Sequence, residues 1–343
     1  MSKRLRVNKR WLWLLLPLMV VIVVLAYRQF LQPVPLLGWA PYKAAFLSPE
    51  GRIVDSGNHG VSHSESQGYG MLFAVHARDR ESFDRLWLWT KTTLQLRQDH
   101  LFAWRYIPGE GVTDKNNASD GDLLIAWALM LAGEQWGEES YLNESRLILH
   151  DLRNTVVRQW QGQTILLPGS VGFEHDGVYT INLSYWLFAA FRDFQRFDPS
   201  PVWQALEQSG RNLLQQARYG EWQLPPDWLQ LGESMQPASD HDPRYGYDAI
   251  RVPLNLIWGG VKEPALLKPF THFYQSMSQR GERLPPWVDL TTNQLADYDA
   301  PEGIKAVYGL LDSPQKPQQK IQVAKASDYY SSSLLLMVEL AAQ

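Results

Sequence analysis

Apolar residues recur at helical spacing along most of the chain, and this pattern predicts a protein built mainly from α-helices. Several periodic stretches open on a capping acid or an early proline, as at Asp79, Asp198-Pro199 and Glu263-Pro264. Short strands are expected only within 163–171 and near Thr180. The predicted helices cover 70–77, 83–96, 123–136, 147–160, 180–197, 201–217, 249–258, 264–277, 301–311 and 334–341.

The first 31 residues have the pattern of a membrane-targeting segment. An uncharged run over 11–27 follows a basic start that contains Lys3, Arg4, Arg6, Lys9 and Arg10. As a helix the run is about 25 Å long, at the short limit for crossing a bilayer. No small-x-small cleavage site follows it, so we expect an uncleaved inner-membrane anchor, with a cleaved signal peptide or a buried soluble helix as alternatives. Either of the first two exports the rest of the chain, to the periplasm or beyond.

The chain of 343 residues is long enough for one large domain after this segment. We expect a basic N-terminus with a targeting helix over 1–31, a proline-rich linker over 32–38 and one folded domain over 39–343. Pro33 and Pro35 make the linker a stiff spacer.

Composition narrows the functional classes. The 45% apolar and 12% aromatic content predicts a well-buried core, and the 15 tryptophans suit either core packing or stacking on sugar faces. Cysteine is absent, which excludes disulfides and thiolate metal sites. All 36 acidic residues but only 26 of the 32 basic ones lie in 36–343, a net charge of −10. This excess of negative charge and the absence of a phosphate-binding glycine loop argue against nucleic acid as a partner.

Three segments carry candidate chemistry. Asp120 and Asp122 stand where the apolar helix over 123–136 begins, and alone they indicate an ordinary N-cap that Ser119 or Asp120 supplies. Asp248 and Arg251 are one helical turn apart, which alone indicates a surface ion pair, and a neighbouring cation lowers the pKa of an acid.

The third segment, Ser-His-Ser-Glu-Ser-Gln-Gly-Tyr-Gly-Met over 62–71, places Glu65 just before an apolar helix. Alone, an acid there complements the helix dipole. His63 and His59 lie nearby, but their pattern is too weak to indicate a metal site, and we expect no metal.

Together these segments resemble the signatures of glycoside hydrolase family 8, in particular the endoglucanases encoded beside bacterial cellulose synthases. The run over 118–136 matches position by position, 247–253 matches Tyr-Asp-Ala-x-Arg-x-Pro, and 62–71 departs from the family only at Ser66, which replaces Gly. The resemblance covers most of 39–343 and implies an (α/α)6 barrel with a substrate groove across one end. It leaves the loop over 222–247 unexplained.

The resemblance also implies roles for individual residues. Glu65 would be the general acid, Asp248 the general base, and Asp120 the group that holds the distorted sugar at the cleavage subsite. Arg251 would orient the base and keep it ionised, while Asp122 would be structural. Tyr185 would position the attacking water; it lies in Asn-Leu-Ser-Tyr over 182–185, where the family has Asn-Pro-Ser-Tyr. Trp104, Tyr69 and Tyr330 would bind substrate, although Trp104 is equally suited to the core.

The implied reaction is inverting endo-hydrolysis of β-1,4-glucan without a cofactor, in bacterial cellulose biosynthesis. Inverting enzymes need a protonated acid and an ionised base about 6.5–9.5 Å apart. A cellulose synthase complex is a candidate partner. Two alternatives remain open: hydrolysis of chitosan or xylan, which the same family covers, and a non-catalytic glucan-binding subunit of a synthase.

Overall fold

A computed structural model describes residues 36–281, 283–312 and 328–343, and these residues form eleven α-helices, ten short strands and a 3-10 turn, Leu183–Tyr185. The targeting segment over 1–31 and most of the linker lie outside the described residues. In the described part, no helix is both long and apolar enough to cross a membrane. The helices are α1 (Trp39–Phe46), α2 (Ser64–His76), α3 (Arg80–Leu94), α4 (Ser119–Trp136), α5 (Glu139–Thr155), α6 (Phe188–Phe197), α7 (Pro201–Gln216), α8 (Arg251–Trp258), α9 (Pro264–Arg280), α10 (Glu302–Asp312) and α11 (Tyr329–Ala341).

Alternate helices pack against one another, and the predominantly helical architecture predicted from the sequence is confirmed. Helix α2 contacts α4, α4 contacts α6, and α6 contacts α8, while α3, α5 and α7 each cover the helix that precedes them. Helix α4 is buried along most of its length, whereas α3 and α5 have one buried and one polar face. Helices α2 and α4 are therefore inner, apolar helices, whereas α3 and α5 are outer, amphipathic ones.

The strands are short and lie in the connections between helices. A four-stranded antiparallel sheet has the order β5-β6-β7-β8, and three separate antiparallel pairs are β1–β2, β3–β4 and β9–β10. The strands are β1 (Ser62–His63), β2 (Arg105–Tyr106), β3 (Val157–Trp160), β4 (Gln163–Leu166), β5 (Glu174–His175), β6 (Val178–Ile181), β7 (Leu229–Leu231), β8 (Met235–Pro237), β9 (Arg244–Tyr245) and β10 (Val288–Asp289).

Two predicted helices are wrong in part. Helix α5 ends at Thr155, and β3 continues into a hairpin because Gln161 and Gly162 adopt the positive φ angles of a tight turn. The stretch over 180–197 begins as β6 and becomes helical only at Phe188. Between them the Asn182 side chain accepts hydrogen bonds from the backbone N–H and hydroxyl of Ser184 and caps the 3-10 turn Leu183–Tyr185, which separates β6 from α6.

The predicted helix starts are partly confirmed. Asp79 caps α3 by accepting a hydrogen bond from the Ser82 backbone N–H, and Pro264 begins α9 after Glu263. The start of α7 at Pro201 is confirmed, but its cap is Ser200 and not Asp198. Asp198 instead accepts a hydrogen bond from the Trp203 indole at 2.8 Å.

Two glycines allow α2 and α4 to approach closely near their N-termini. A Cβ atom at Gly121 would lie 2.6 Å from Ser64 Cβ and 2.7 Å from the Glu65 backbone nitrogen. One at Gly68 would lie 2.5 Å from Leu124 Cβ. Only glycine at these positions lets the two helix starts lie side by side.

The close approach predicts a large effect of Gly121→Ala on stability. The Ser64 hydroxyl can rotate away from the added methyl group, but Ser64 Cβ and the Glu65 backbone nitrogen cannot move without shifting the helix, so we expect the free energy of unfolding to fall by about 1–3 kcal/mol. Denaturant unfolding measures this change. The control is Gly57→Ala in an exposed turn, where the new Cβ lies 3.5 Å from its nearest neighbour. Equal stability of the two variants would contradict the packing described here.

Candidate active site

Three helix starts bring the predicted acidic residues together. Glu65 is the second residue of α2, and Asp120 is the second residue of α4. Asp248 lies in the turn that leads into α8, and Arg251 is the first residue of that helix. The structure therefore places all four residues from the three sequence motifs around one point.

The guanidinium group of Arg251 joins these side chains. Its Nη1 donates a hydrogen bond to Glu65 Oε1 and lies 3.9 Å from Asp120 Oδ2, while Nη2 donates to Asp248 Oδ1 at 2.6 Å. Nη2 also donates to the Ser184 hydroxyl at 3.1 Å. Arg251 is 5% exposed, so its charge is buried among its partners. Glu65 and Asp248 bind different nitrogen atoms, and the guanidinium group lies between them.

Burial controls the protonation of this cluster. It raises the pKa of Asp120 well above its ordinary value, and the negative charge of Glu65 raises it further. Burial also raises the pKa of Asp248, although Arg251 opposes the shift. The net lowering expected for Asp248 from its spacing to Arg251 is therefore wrong, since burial outweighs the ion pair. With three carboxyl groups around one cation, burial and the neighbouring negative charge both favour the protonated form of Asp120.

The carboxyl groups differ in their access to water. The Asp248 side chain is 30% exposed, against 18% for Glu65 and 6% for Asp120. Asp248 is thus the carboxyl group that solvent reaches most easily.

The predicted capping of α4 by Ser119 or Asp120 is wrong. The N-cap position is Ala118, which supplies no side-chain bond, and the Ser119 hydroxyl donates to the Leu167 carbonyl oxygen. Asp120 accepts a hydrogen bond from the Gly121 backbone N–H at 2.8 Å. Its other carboxyl oxygen faces Arg251.

Asp122 has the structural role that was expected, but it binds neighbouring loops and does not cap the helix. Its two oxygens accept hydrogen bonds from the Phe102 backbone N–H at 2.9 Å and from Asn117 Nδ2 at 2.8 Å. It therefore connects two loops to the buried start of α4.

The unusual serine at position 66 caps the helix that carries Glu65. The Ser66 backbone N–H donates to His63 Nδ1, and the His63 backbone N–H donates to the Ser66 hydroxyl. This reciprocal pair satisfies two otherwise free donors at the start of α2. His63 Nε2 lies 3.3 Å from Asp55 Oδ2, and Nδ1 lies 3.6 Å from Glu65 Oε2. Among the described residues, no group of three His, Asp or Glu side chains is arranged to hold a metal ion.

Three tyrosines surround the cluster in different ways. The Tyr69 ring is 4% exposed and stacks on Phe73, so only its hydroxyl faces the site, 3.4 Å from both Glu65 and Arg251. The half-buried Tyr185 ring lies 6.0 Å from the Arg251 guanidinium carbon. The half-buried Tyr330 hydroxyl donates to the Tyr247 carbonyl oxygen. Tyr69 therefore offers substrate a hydroxyl and not an open ring face.

Trp104 lies beside the start of α2 and is half-buried. Its carbonyl oxygen accepts the Ser64 backbone N–H at 3.0 Å, and its indole nitrogen donates to Asp114 at 2.8 Å. The Arg105 guanidinium carbon lies 4.4 Å from the ring centre. Trp104 is thus a partly open aromatic side chain close to Glu65.

Several polar side chains at the site were not singled out from the sequence. The Ser184 hydroxyl binds Arg251 and donates to Asn182 Oδ1 at 2.7 Å, while Asn255 Nδ2 donates to the Ser184 carbonyl oxygen. Asn182 also lies beside Asp248 and lowers its pKa. Asn182 and Ser184 belong to the motif over 182–185, but the resemblance assigned a role only to Tyr185.

Removing the charge of Arg251 is predicted to destabilise the protein strongly. Arg251→Met leaves three enclosed carboxyl groups without a cation, so we expect a loss of about 3–5 kcal/mol in the free energy of unfolding. Arg251 lowers the pKa values of Asp120 and Asp248 against the effect of burial, so its removal should raise them further, whereas in the unfolded chain carboxyl groups ionise near about pH 4 in both proteins. The loss should therefore be larger at pH 8 than at pH 5.

Urea unfolding at both pH values measures the effect. The control is Arg196→Met, because Arg196 forms an ion pair with Glu134 on the surface with 59% of its side chain exposed. Such a pair contributes about 0–1 kcal/mol. A similar loss in both variants would mean that the Arg251 network does not stabilise the fold.

Comparison with known proteins agrees with the motifs found at this site. The model of glycosyl hydrolases family 8 matches residues 11–343. A probable endoglucanase from Novacetimonas hansenii is 42% identical over 313 residues, which cover 88% of this chain and 89% of the relative. An endoglucanase from Cellulomonas uda is 40% identical over 276 residues, or 79% of this chain and 76% of the relative.

A solved structure gives the same result for the fold. The endo-β-1,4-glucanase CMCax from Acetobacter xylinum superposes with a TM-score of 0.83 at 40% identity, covering 89% of this chain and 97% of that chain. The family model spans the three segments that meet at Arg251. The chain therefore belongs to glycosyl hydrolase family 8.

Proposed function

We propose that this protein is an endo-β-1,4-glucanase that hydrolyses glucan with inversion at the anomeric carbon. The observation that carries the proposal is the convergence of Glu65, Asp120 and Asp248 on Arg251. The similarity of the chain to named endoglucanases supports β-1,4-glucan as the substrate.

In this proposal Glu65 is the general acid. Arg251 and Tyr69 both contact its Oε1, which leaves Oε2 to carry the proton to the leaving glycosidic oxygen. The His63–Ser66 cap holds the first turn of α2 and so fixes the direction of this side chain.

Asp248 is the general base. Arg251 binds its Oδ1, which leaves Oδ2 to accept a proton from the attacking water, and the 30% exposure of the side chain gives water access. Arg251 holds Glu65 and Asp248 through different nitrogen atoms. In this proposal the two carboxyl groups act on opposite faces of the sugar, as inversion requires.

Asp120 holds the sugar at the cleavage subsite. Burial and the charge of Glu65 raise its pKa and favour the protonated form, in which the carboxyl group both donates to and accepts from sugar hydroxyls. Tyr185 would position the water beside Asp248. Trp104, Tyr330 and the Tyr69 hydroxyl would complete the substrate contacts in a groove across one end of an (α/α)6 barrel.

The role of Glu65 as general acid predicts that its replacement abolishes most of the activity. With the full-length chain in detergent, we expect Glu65→Gln to slow viscosity loss and reducing-sugar release from carboxymethylcellulose by about 10²–10⁴-fold. Asp248→Asn should have a comparable effect. The control is Glu81→Gln, because Glu81 is likewise the second residue of its helix, α3, but is exposed to solvent.

Two outcomes would contradict the proposal. Full activity of Glu65→Gln would remove Glu65 as the acid. A folded wild-type protein that binds glucan but hydrolyses neither carboxymethylcellulose, xylan nor chitosan would make it a binding subunit.

We also propose that residues 1–31 anchor the enzyme in the inner membrane with 39–343 in the periplasm. The basic start and the uncharged run over 11–27 support this topology. An anchored glucanase of this kind would act beside a cellulose synthase complex, the partner that the sequence resemblance implies.

The anchor predicts that the full-length chain sediments with membranes and resists carbonate extraction. Val21→Arg should weaken this association, because a charge at the centre of a span costs about 2.5–3.5 kcal/mol. A mature N-terminus that begins after the apolar run would show cleavage instead and overturn the anchor.

A further inference from the structure

The loop over 222–247 contains an acidic residue that the family motifs do not explain. Asp227 follows Pro225 and Pro226 and stands two residues before β7, which pairs with strands on both sides. Its backbone N–H donates to the Arg244 carbonyl oxygen at 2.6 Å. The backbone of Asp227 is therefore held by the residue that begins β9, close in the chain to the four-stranded sheet.

The carboxylate of Asp227 binds the turn that carries Asp248. A single oxygen, Oδ1, accepts hydrogen bonds from the Gly246 backbone N–H at 2.9 Å and from the Ala249 backbone N–H at 2.7 Å. The Asp248 backbone N–H also faces this carboxylate. Asp227 thus connects the residues on both sides of Asp248 to the sheet.

Gly246 gives independent evidence for this close fit. A Cβ atom there would lie 2.8 Å from Asp227 Oδ2 and 3.2 Å from Trp287 Cβ. The turn can lie against the Asp227 carboxylate only because position 246 has no side chain.

We propose that Asp227 is a positioning residue that fixes the turn over 246–249 and thereby directs the Asp248 carboxylate towards Arg251 and the attacking water. This inference rests on the proposed role of Asp248 as general base. Asp227 acts on the backbone of the turn, so it influences the reaction through Asp248.

The arrangement has an electrostatic cost. Burial and the negative charge of Asp248 raise the pKa of Asp227 to about 7. A neutral Asn side chain can accept the same two hydrogen bonds without this charge. Asp227→Asn should therefore retain the position of the turn, whereas Asp227→Ala should release it.

The test compares kcat, KM and melting temperature of full-length variants on a soluble cello-oligosaccharide. We expect Asp227→Ala to lower kcat by about 10²-fold, the effect of misplacing a catalytic group by about 1 Å, with KM changed less than about twofold. Asp227→Asn should recover kcat to within about fivefold of the wild type.

The matched control is Asp289→Ala. A single oxygen of Asp289 also accepts two backbone N–H hydrogen bonds, from Thr291 at 2.9 Å and from Thr292 at 2.7 Å, but that turn does not carry Asp248. We expect its kcat to stay at the wild-type value.

The inference is overturned if Asp227→Ala has the same kcat as Asp289→Ala, or if its KM rises as much as its kcat falls. If Asp227→Ala fails to fold, kcat of Gly246→Ala is measured instead, because the added methyl group pushes the turn away from the Asp227 carboxylate. A selective loss of kcat in that variant supports the inference, and wild-type kcat overturns it. Wild-type kcat in Asp248→Asn would instead show that the proposed base is wrong, whatever Asp227 does.

Discussion

The candidate active site depends on one buried positive charge. Placing the Arg251 guanidinium group inside a protein is costly unless carboxylates and hydrogen-bond acceptors surround it, and here Glu65, Asp248, Asp120 and Ser184 do so. Each partner comes from a different segment, so the charge is stable only when those segments have converged. The same interaction therefore links folding to the geometry of catalysis.

That convergence requires a precise approach of helices. Gly68 and Gly121 let α2 and α4 meet near their N-termini, which brings Glu65 and Asp120 to one side of Arg251. Around this rigid centre, short strands and turns hold the remaining groups. The candidate catalytic side chains lie at helix N-termini and in an adjoining turn, which a packed helical frame supports.

Much of this organisation could be predicted from the sequence, because helical periodicity and short motifs are local signals. The helical fold class and the cap at Asp79 needed only neighbouring residues. The direction of the Asp248 pKa could not be predicted from its spacing to Arg251, since it depends on burial by distant parts of the chain. The predicted cap of α4 failed for the same reason, because the Ser119 hydroxyl binds the distant Leu167 carbonyl oxygen. The role of Asp227 could not be predicted from a motif, because its hydrogen-bond partners lie about twenty residues further along the chain.

The stereochemistry of hydrolysis tests the central claim most directly. Proton NMR of a cello-oligosaccharide during the first minutes of reaction distinguishes the anomer released before mutarotation. A separated acid and base on either side of Arg251 predict that the α-anomer appears first from the β-linked substrate. Initial release of the β-anomer would require a covalent intermediate and would contradict the roles given to Glu65 and Asp248.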